Sequence, residues 1–292
     1  MSRKISKNKT KSKFFKTVFP IKKPIMYITI LGMMLGVRIT LGLFSFPLGP
    51  TVLSFTWISL FITGFIVGPV IGYVFGWISD SVTYAMHPSI YMWEYSIQES
   101  FICLIAGIAG VIYRYYKENK NSIIFTLIIF EIIFTSMIIV AVFIMIKYFD
   151  YSHVAKDYWD AVRDDEQLEK WIDSNLVKII GISLILLFYI ILNIFIFILI
   201  IKHKGDPRLI MLASLIIITS WIIFSWILGP WAYVRYLERL DKSLKSFKKY
   251  GYKFYSISRI LKSLFVVPIE ILVTIPILKA FKIISIKSEY FY

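Results

Sequence analysis

The residues able to do chemistry in this chain are few, and most sit inside apolar runs. Arg38, Asp80, Glu94, Gln98, Glu99, Arg259 and Lys262 are polar or charged side chains at the edges of long hydrophobic stretches. Ionisable groups in such places are expensive and ask for a partner or a function. Aromatic residues crowd the same sequence neighbourhoods: Phe44, Phe46, Phe55, Trp57, Tyr84, Tyr91, Trp93 and Tyr95. Aromatic faces beside cations fit a stacking pocket for a planar heterocycle, with Arg38 or Arg259 gripping a carboxylate through its planar fork. A belt of aromatics at the membrane interface reads equally from the same residues. Arg38–Asp80 or Arg259–Glu99 pairing as structural glue is the plain alternative for the charges.

Other chemistries find no support. His87, His153 and His203 are far apart, and Cys103 is the lone cysteine, so no thiolate metal cluster or internal disulfide is possible. Cys103 reads as a small core residue. No phosphate-binding loop, dinucleotide fingerprint or nucleophile elbow is present, so neither ATP hydrolysis nor catalysis is expected, and no cofactor is implied.

The elements that must position these residues follow from composition. Of 292 residues, 58% are hydrophobic and 17% charged, with a mean hydropathy of +0.72. A soluble domain is about 45–50% apolar and about 25% charged. The pattern predicts an all-α, polytopic membrane protein, since a spanning helix needs about 20 apolar residues. Eight spans are expected, at 24–44, 53–66, 69–86, 94–115, 122–148, 176–201, 209–229 and 258–282. Gly68-Pro69 marks a tight turn between the two short ones.

Charge sets the orientation. Residues 1–23 hold nine bases and no acid, which predicts a cytoplasmic N-terminal segment rather than a cleaved leader. That local cause, rather than nucleic-acid binding, accounts for much of the net +15. Eight spans return the C-terminus to the cytoplasm. The 149–175 segment, with eight acids and three bases, falls outside, as does 230–257 with seven bases and two acids. The second breaks the positive-inside rule. Either the span count is off by one, or a basic outer face gathers an anionic substrate. Leu237, Leu240, Leu244 and Phe247 predict a surface helix over Arg235–Lys249. Gly32 and Gly36 form a four-residue repeat in the first span, and Gly64, Gly68, Gly72 and Gly76 continue it in the next two. Small residues at this spacing let helices approach closely, inside the chain or against another subunit.

Three stretches carry a family likeness. Residues 53–86, LSFTWISLFITGFIVGPVIGYVFGWISDSVTYAM, hold a Phe-containing entry, Gly-Pro, spaced glycines and a late Asp. Residues 87–110, HPSIYMWEYSIQESFICLIAGIAG, form a Pro-containing aromatic loop and a span, and 256–279 place Arg259, Lys262 and Pro268-Ile269 in the last helix. Over about 24–115 and 209–282 the chain resembles the S components of energy-coupling factor (ECF) vitamin transporters, the folate branch most of all. The resemblance implies a six-helix core, here 24–115 and 209–292, interrupted by a two-span insertion within 116–208. It implies capture of a vitamin, folate foremost, from outside a cell membrane. Substrate-binding residues would be Arg38, Phe55, Trp57, Asp80, Tyr84, Trp93, Gln98, Arg259 and Lys262. Gly32 and Gly36 would meet a transmembrane coupling subunit, which two ATPase subunits drive.

The chain departs from the family in its eight spans, in Gly where the first helix usually carries Ala-x-x-x-Ala, and in Trp93-Glu94 where folate-type members tend to have Pro-Gly. Riboflavin or thiamine is the alternative cargo. A lipid-modifying membrane enzyme or a structural membrane protein is the alternative class.

Overall fold

The computed structural model describes residues 18–21, 24–48, 51–86, 91–115, 120–148, 174–202, 206–239 and 245–287. Among them six helices are long and apolar enough to cross a membrane. They include α1 (Pro24–Leu43), α4 (Trp93–Tyr115), α5 (Lys120–Tyr148) and α6 (Ser174–Lys202). The fifth is a continuous run formed by α7 (Pro207–Ser220), a π-helical segment (Trp221–Leu228) and α8 (Gly229–Arg239), and the sixth is α9 (Lys245–Lys287). Two shorter helices, α2 (Trp57–Val67) and α3 (Pro69–Met86), lie between α1 and α4.

The expected span at 53–66 is corrected at its start. Phe46–Leu48 and Thr51–Leu53 form an antiparallel pair of strands, β1 and β2, with Phe46 opposite Leu53. Proline at 47 and 50 disfavours helix there, and Thr51-Val52 suits a strand. The helix that follows is only 11 residues long and is buried on every side from Ile58 to Val67. A helix apolar all round belongs in the middle of a bundle. Gly68 then turns the chain at φ 95°, a left-handed conformation open to glycine, and its N–H bonds to the Gly64 carbonyl at 3.0 Å. Pro69 opens α3 at the position where its missing N–H costs nothing.

Glycine also sets how closely α2, α3 and α4 pack. A Cβ on Gly64 would stand 2.9 Å from the Ala106 Cβ, and one on Gly76 would stand 2.6 Å from the Ser100 nitrogen. Gly107 and Gly110 of α4 are as tight against the Gly68-Pro69 turn and against Phe65. The repeat through Gly64, Gly72 and Gly76 is therefore internal packing. Cys103 is buried at this junction, its thiol 3.5 Å from the Leu60 carbonyl, as a small core residue.

Helices α5 and α6 touch each other, with Phe134 against Tyr189 at 4.9 Å, and Phe130, Phe134 and Ile138 of the one and Ile185, Phe188 and Leu192 of the other are buried in the common core. Their opposite faces carry Ile132 and Phe197, both about 60% exposed. Apolar faces this open suit lipid rather than water.

The seventh predicted span, 209–229, extends to Arg239 because helix continues through Pro230. Proline cannot donate to the carbonyl four residues back, and the wider π turns just before it accommodate the break. The expected loop at 230–257 is corrected too. Residues 230–239 end one helix and 245–257 begin another, while 240–244 lie outside the described residues. The single surface helix over Arg235–Lys249 becomes two helix ends. The acidic segment 149–173, most of the basic one at 1–23, and His87, His153 and His203 also lie outside the described residues.

Candidate ligand-binding site

Arg38 is 3% exposed on α1, facing α3 and α4. Its Nε donates to Thr83 Oγ1 at 3.2 Å and its Nη2 to Glu99 Oε1 at 2.5 Å. Asp80 of α3 accepts from the Ser96 hydroxyl, which also bonds Tyr91 at 2.7 Å. Thr83 and Asp80 are three residues apart on one helix, Glu99 and Ser96 three apart on the other. Each pair therefore shares a face, and the two layers stack. Neither expected pairing forms: Arg38 takes Glu99 rather than Asp80, and Asp80 takes a hydroxyl. Tyr84 stands edge-on to Tyr91 at 5.3 Å, closing the outer side.

The group is under-satisfied. Arg38 Nη1, Glu99 Oε2, Gln98 Nε2, Ser79 Oγ and Glu94 Oε2 are buried without a hydrogen-bond partner. Such atoms carry a desolvation cost of about 1–3 kcal/mol each. Yet Arg38 already holds one carboxylate and has Asp80 nearby, so an anionic ligand gains less from it than its lone appearance in the sequence implies.

Lys262 belongs to a second group. Its ammonium donates to the Val52 carbonyl of the strand pair and lies 5.2 Å from the centre of the Trp221 ring. Trp221 leans on Trp57 at 5.0 Å, and Trp57 meets Phe61 edge-on. The Trp221 indole donates to Glu270 Oε2 at 2.5 Å, and the Trp226 indole to Ser263 at 3.2 Å. In a π-helix hydrogen bonds run five residues back, so residues five apart, such as these two tryptophans, come nearly into line and both reach α9. Arg259 lies between the groups, hydrogen-bonded to Tyr95 and packed against Gly229. Phe55 packs on the core beside Trp57.

The predicted residues thus divide. Arg38, Asp80 and Tyr84 converge with Glu99, with Gln98 on the same helix. Trp57 and Lys262 converge with Trp221, while Phe55 packs on the core. Trp93 is 46% exposed at the opening of α4, whereas its neighbour Glu94 is buried and paired with Arg239 at 2.8 Å. Glu270 and Trp221 escaped the sequence reading, although Glu270 is a lone acid in the run VVPIEILVTIPIL and the cost argument applied to Arg259 applies to it equally. Glu131 of α5 is another such acid, and Tyr189 donates to it at 3.4 Å.

Gly32 and Gly36 point away from all this. A Cβ on either would find nothing within 4 Å. The first helix therefore offers an open small-residue face to its surroundings.

The other end of the bundle is held by a different cluster. Asp206 caps α7, accepting from the Leu209 N–H at 3.1 Å, from Lys282 at 2.5 Å and from the Tyr113 hydroxyl. Burial alone would raise its pKa, but these donors outweigh it and hold the carboxyl below its ordinary range. Arg208, buried beside it, donates to the Ile112 and Tyr113 carbonyls. Arg114 donates to the Phe65 carbonyl at 2.7 Å. A small cleft opens here between Phe65, Tyr113, Leu278 and Lys282. Along α4, Tyr113 is 14 residues from Glu99, about 21 Å at 1.5 Å per residue. The two polar ends are thus separate.

Among the described residues no group of three or more His, Cys, Asp or Glu side chains is placed to hold a metal ion. Comparison with protein-family models, curated proteins and solved structures finds no match to this chain.

Proposed function

We propose that this chain is the substrate-binding S component of an energy-coupling factor importer in the cell membrane, and that its vitamin is a folate. The reading is carried by the end of the bundle where Arg38, Asp80 and Glu99 lie near Tyr84 and Tyr91, with Gln98 on the same helix as Glu99 and several buried polar atoms lacking partners. A purely structural cluster would satisfy them. Beside it, Arg259 and Lys262 supply the positive charge that folate's carboxylates need. The open Gly32–Gly36 face supports docking on a coupling subunit, and two partner ATPases supply the energy.

Eight crossings, with both termini cytoplasmic, go with this reading. Support comes from the short pair α2 and α3. Their shared turn at Gly68 packs against Val18 and Pro20, just before α1. Thr83, near the end of α3, reaches Arg38, near the end of α1. The end of α3 therefore stands at the level of the end of α1.

The test is intrinsic tryptophan fluorescence of the purified chain during titration with folates, riboflavin and thiamine. Trp57 and Trp221 report occupancy. Saturable quenching by a folate alone is expected. Saturation by another vitamin instead would keep the class and discard folate. Silence toward all of them, with no complex formed on adding the coupling module, would end the reading.

A further inference from the structure

Glu270 is the most deeply placed acid among the described residues of α9. It is 0% exposed, 11 residues past Arg259 and so about 16 Å further along the helix. Its Oε2 is engaged by Trp221, while Oε1 has no hydrogen-bond partner. Thr274 lies one turn on, 1% exposed, and its hydroxyl also lacks a partner. Residues four apart on a helix share a face. One surface of α9 therefore offers an acceptor and a hydroxyl, both unanswered, next to the Trp221–Trp57 pair. The π-helical distortion brings Trp221 there, and such distortions recur at functional sites.

Resting on the vitamin-binding reading above, we infer that Glu270 and Thr274 read the amino-pyrimidine edge of a planar heterocycle seated against Trp57 and Trp221. A carboxylate only accepts hydrogen bonds, and a hydroxyl does either. A 2-amino-4-oxopyrimidine edge presents an amino donor, a ring N–H donor and an oxo acceptor. The two donors go to Glu270, and the Thr274 hydroxyl turns to give its proton to the oxo group. The tilted indole pair lies against one face of the ring. An imide edge, as in a flavin, has two oxo groups flanking one N–H. It would set an oxo oxygen against the carboxylate, and the site disfavours it. Lys262, tied to the strand pair above Trp221, stands on the outward side, where an acidic tail would leave the ring.

Calorimetric titration of the purified full chain tests this with two ligands, folic acid and its analogue carrying oxo in place of the 2-amino group. The wild-type chain is expected to bind folic acid about tenfold or more tighter than the analogue, because the exchange points an acceptor at an acceptor. Glu270→Gln is expected to bring the two within about twofold, since an amide donates to the oxo group as readily as it accepts. Thr274→Val is expected to weaken both ligands alike. A wild-type chain that binds folic acid but shows no preference would overturn the assignment and leave the vitamin reading standing. So would a Glu270→Gln chain that keeps the full preference. A wild-type chain that binds neither ligand overturns both. A wild-type chain without the preference overturns the assignment even if neither variant folds.

Discussion

A guanidinium and a carboxylate buried together are costly to separate and weak evidence for stability as a pair. That asymmetry makes Arg38 informative. Arg38→Met strands Glu99 as an uncompensated acid and is expected to lower stability by about 3–5 kcal/mol. Adding Glu99→Gln should recover most of that loss, as read by denaturant unfolding in detergent micelles. Equal losses in the single and double variants would mean that Glu99 does not depend on Arg38. At the far end, Asp206 carries the pH dependence. Its carboxyl is depressed in the folded chain, so its contribution is complete above the unfolded value near 3.8 and disappears as pH falls through the lower folded value. Melting temperature should drop as pH falls below about 4, and Asp206→Asn should lose stability at pH 7 and flatten that slope. An unchanged slope in the variant would remove Asp206 as its origin. That Arg38 and Glu99 need partners inside the bundle was legible because charges stand out in apolar runs. Which pairs form was not, because sequence does not fix the rotation of α3 against α1, and Glu99 rather than Asp80 meets Arg38.

Existence of helices was easy to read from hydropathy, and their ends were not. The 53–66 span loses Leu53 to a strand and 54–56 to the link after it, because a short apolar stretch looks alike in helix and strand. The Trp221–Leu228 distortion left no hydropathy trace at all; its only signal was Pro230 just beyond it. Glycine spacing was visible everywhere, but the direction each glycine faces was not. The structure separates them into two kinds, and substitution should too. Gly107→Leu drives a side chain into the backbone of Pro69 and Gly68. Neither can move without unpacking the turn, so a loss of about 1–3 kcal/mol or more is expected. Gly32→Leu meets nothing and should stay within about 0.5 kcal/mol of wild type in unfolding experiments. It should also spare vitamin binding while preventing co-purification with the coupling subunit, because a bulky residue there stops close helix approach. A Gly32→Leu chain that still assembles would show that the subunit docks elsewhere.

The basic segment at 230–257 poses the question that belongs to the whole molecule, since by charge alone it belongs in the cytoplasm. Contacts inside the bundle place Arg239 at the end away from Val18 and Pro20. Arg239 bonds Glu94 and the Tyr91 carbonyl, at the level of Ser96 and Glu99. Lys282, at the far end of α9, bonds Asp206 beside Tyr113. The Gly68 turn lies at that second end, packed against Val18 and Pro20. If residues 1–23 are cytoplasmic, Arg239 is external, held there in part by Glu94, a buried acid that α8 must reach to neutralise. Cysteine labelling decides it, with Cys103 silent because it is buried. Lys249→Cys and Asp160→Cys should react with a membrane-impermeant maleimide on intact cells, and Ser6→Cys and Asn119→Cys only after permeabilisation. Protection of Lys249→Cys in intact cells, with Asp160→Cys still labelled, would mean one fewer or one more crossing between them. The outer site would then be divided across the bilayer, and the importer reading would fall with it.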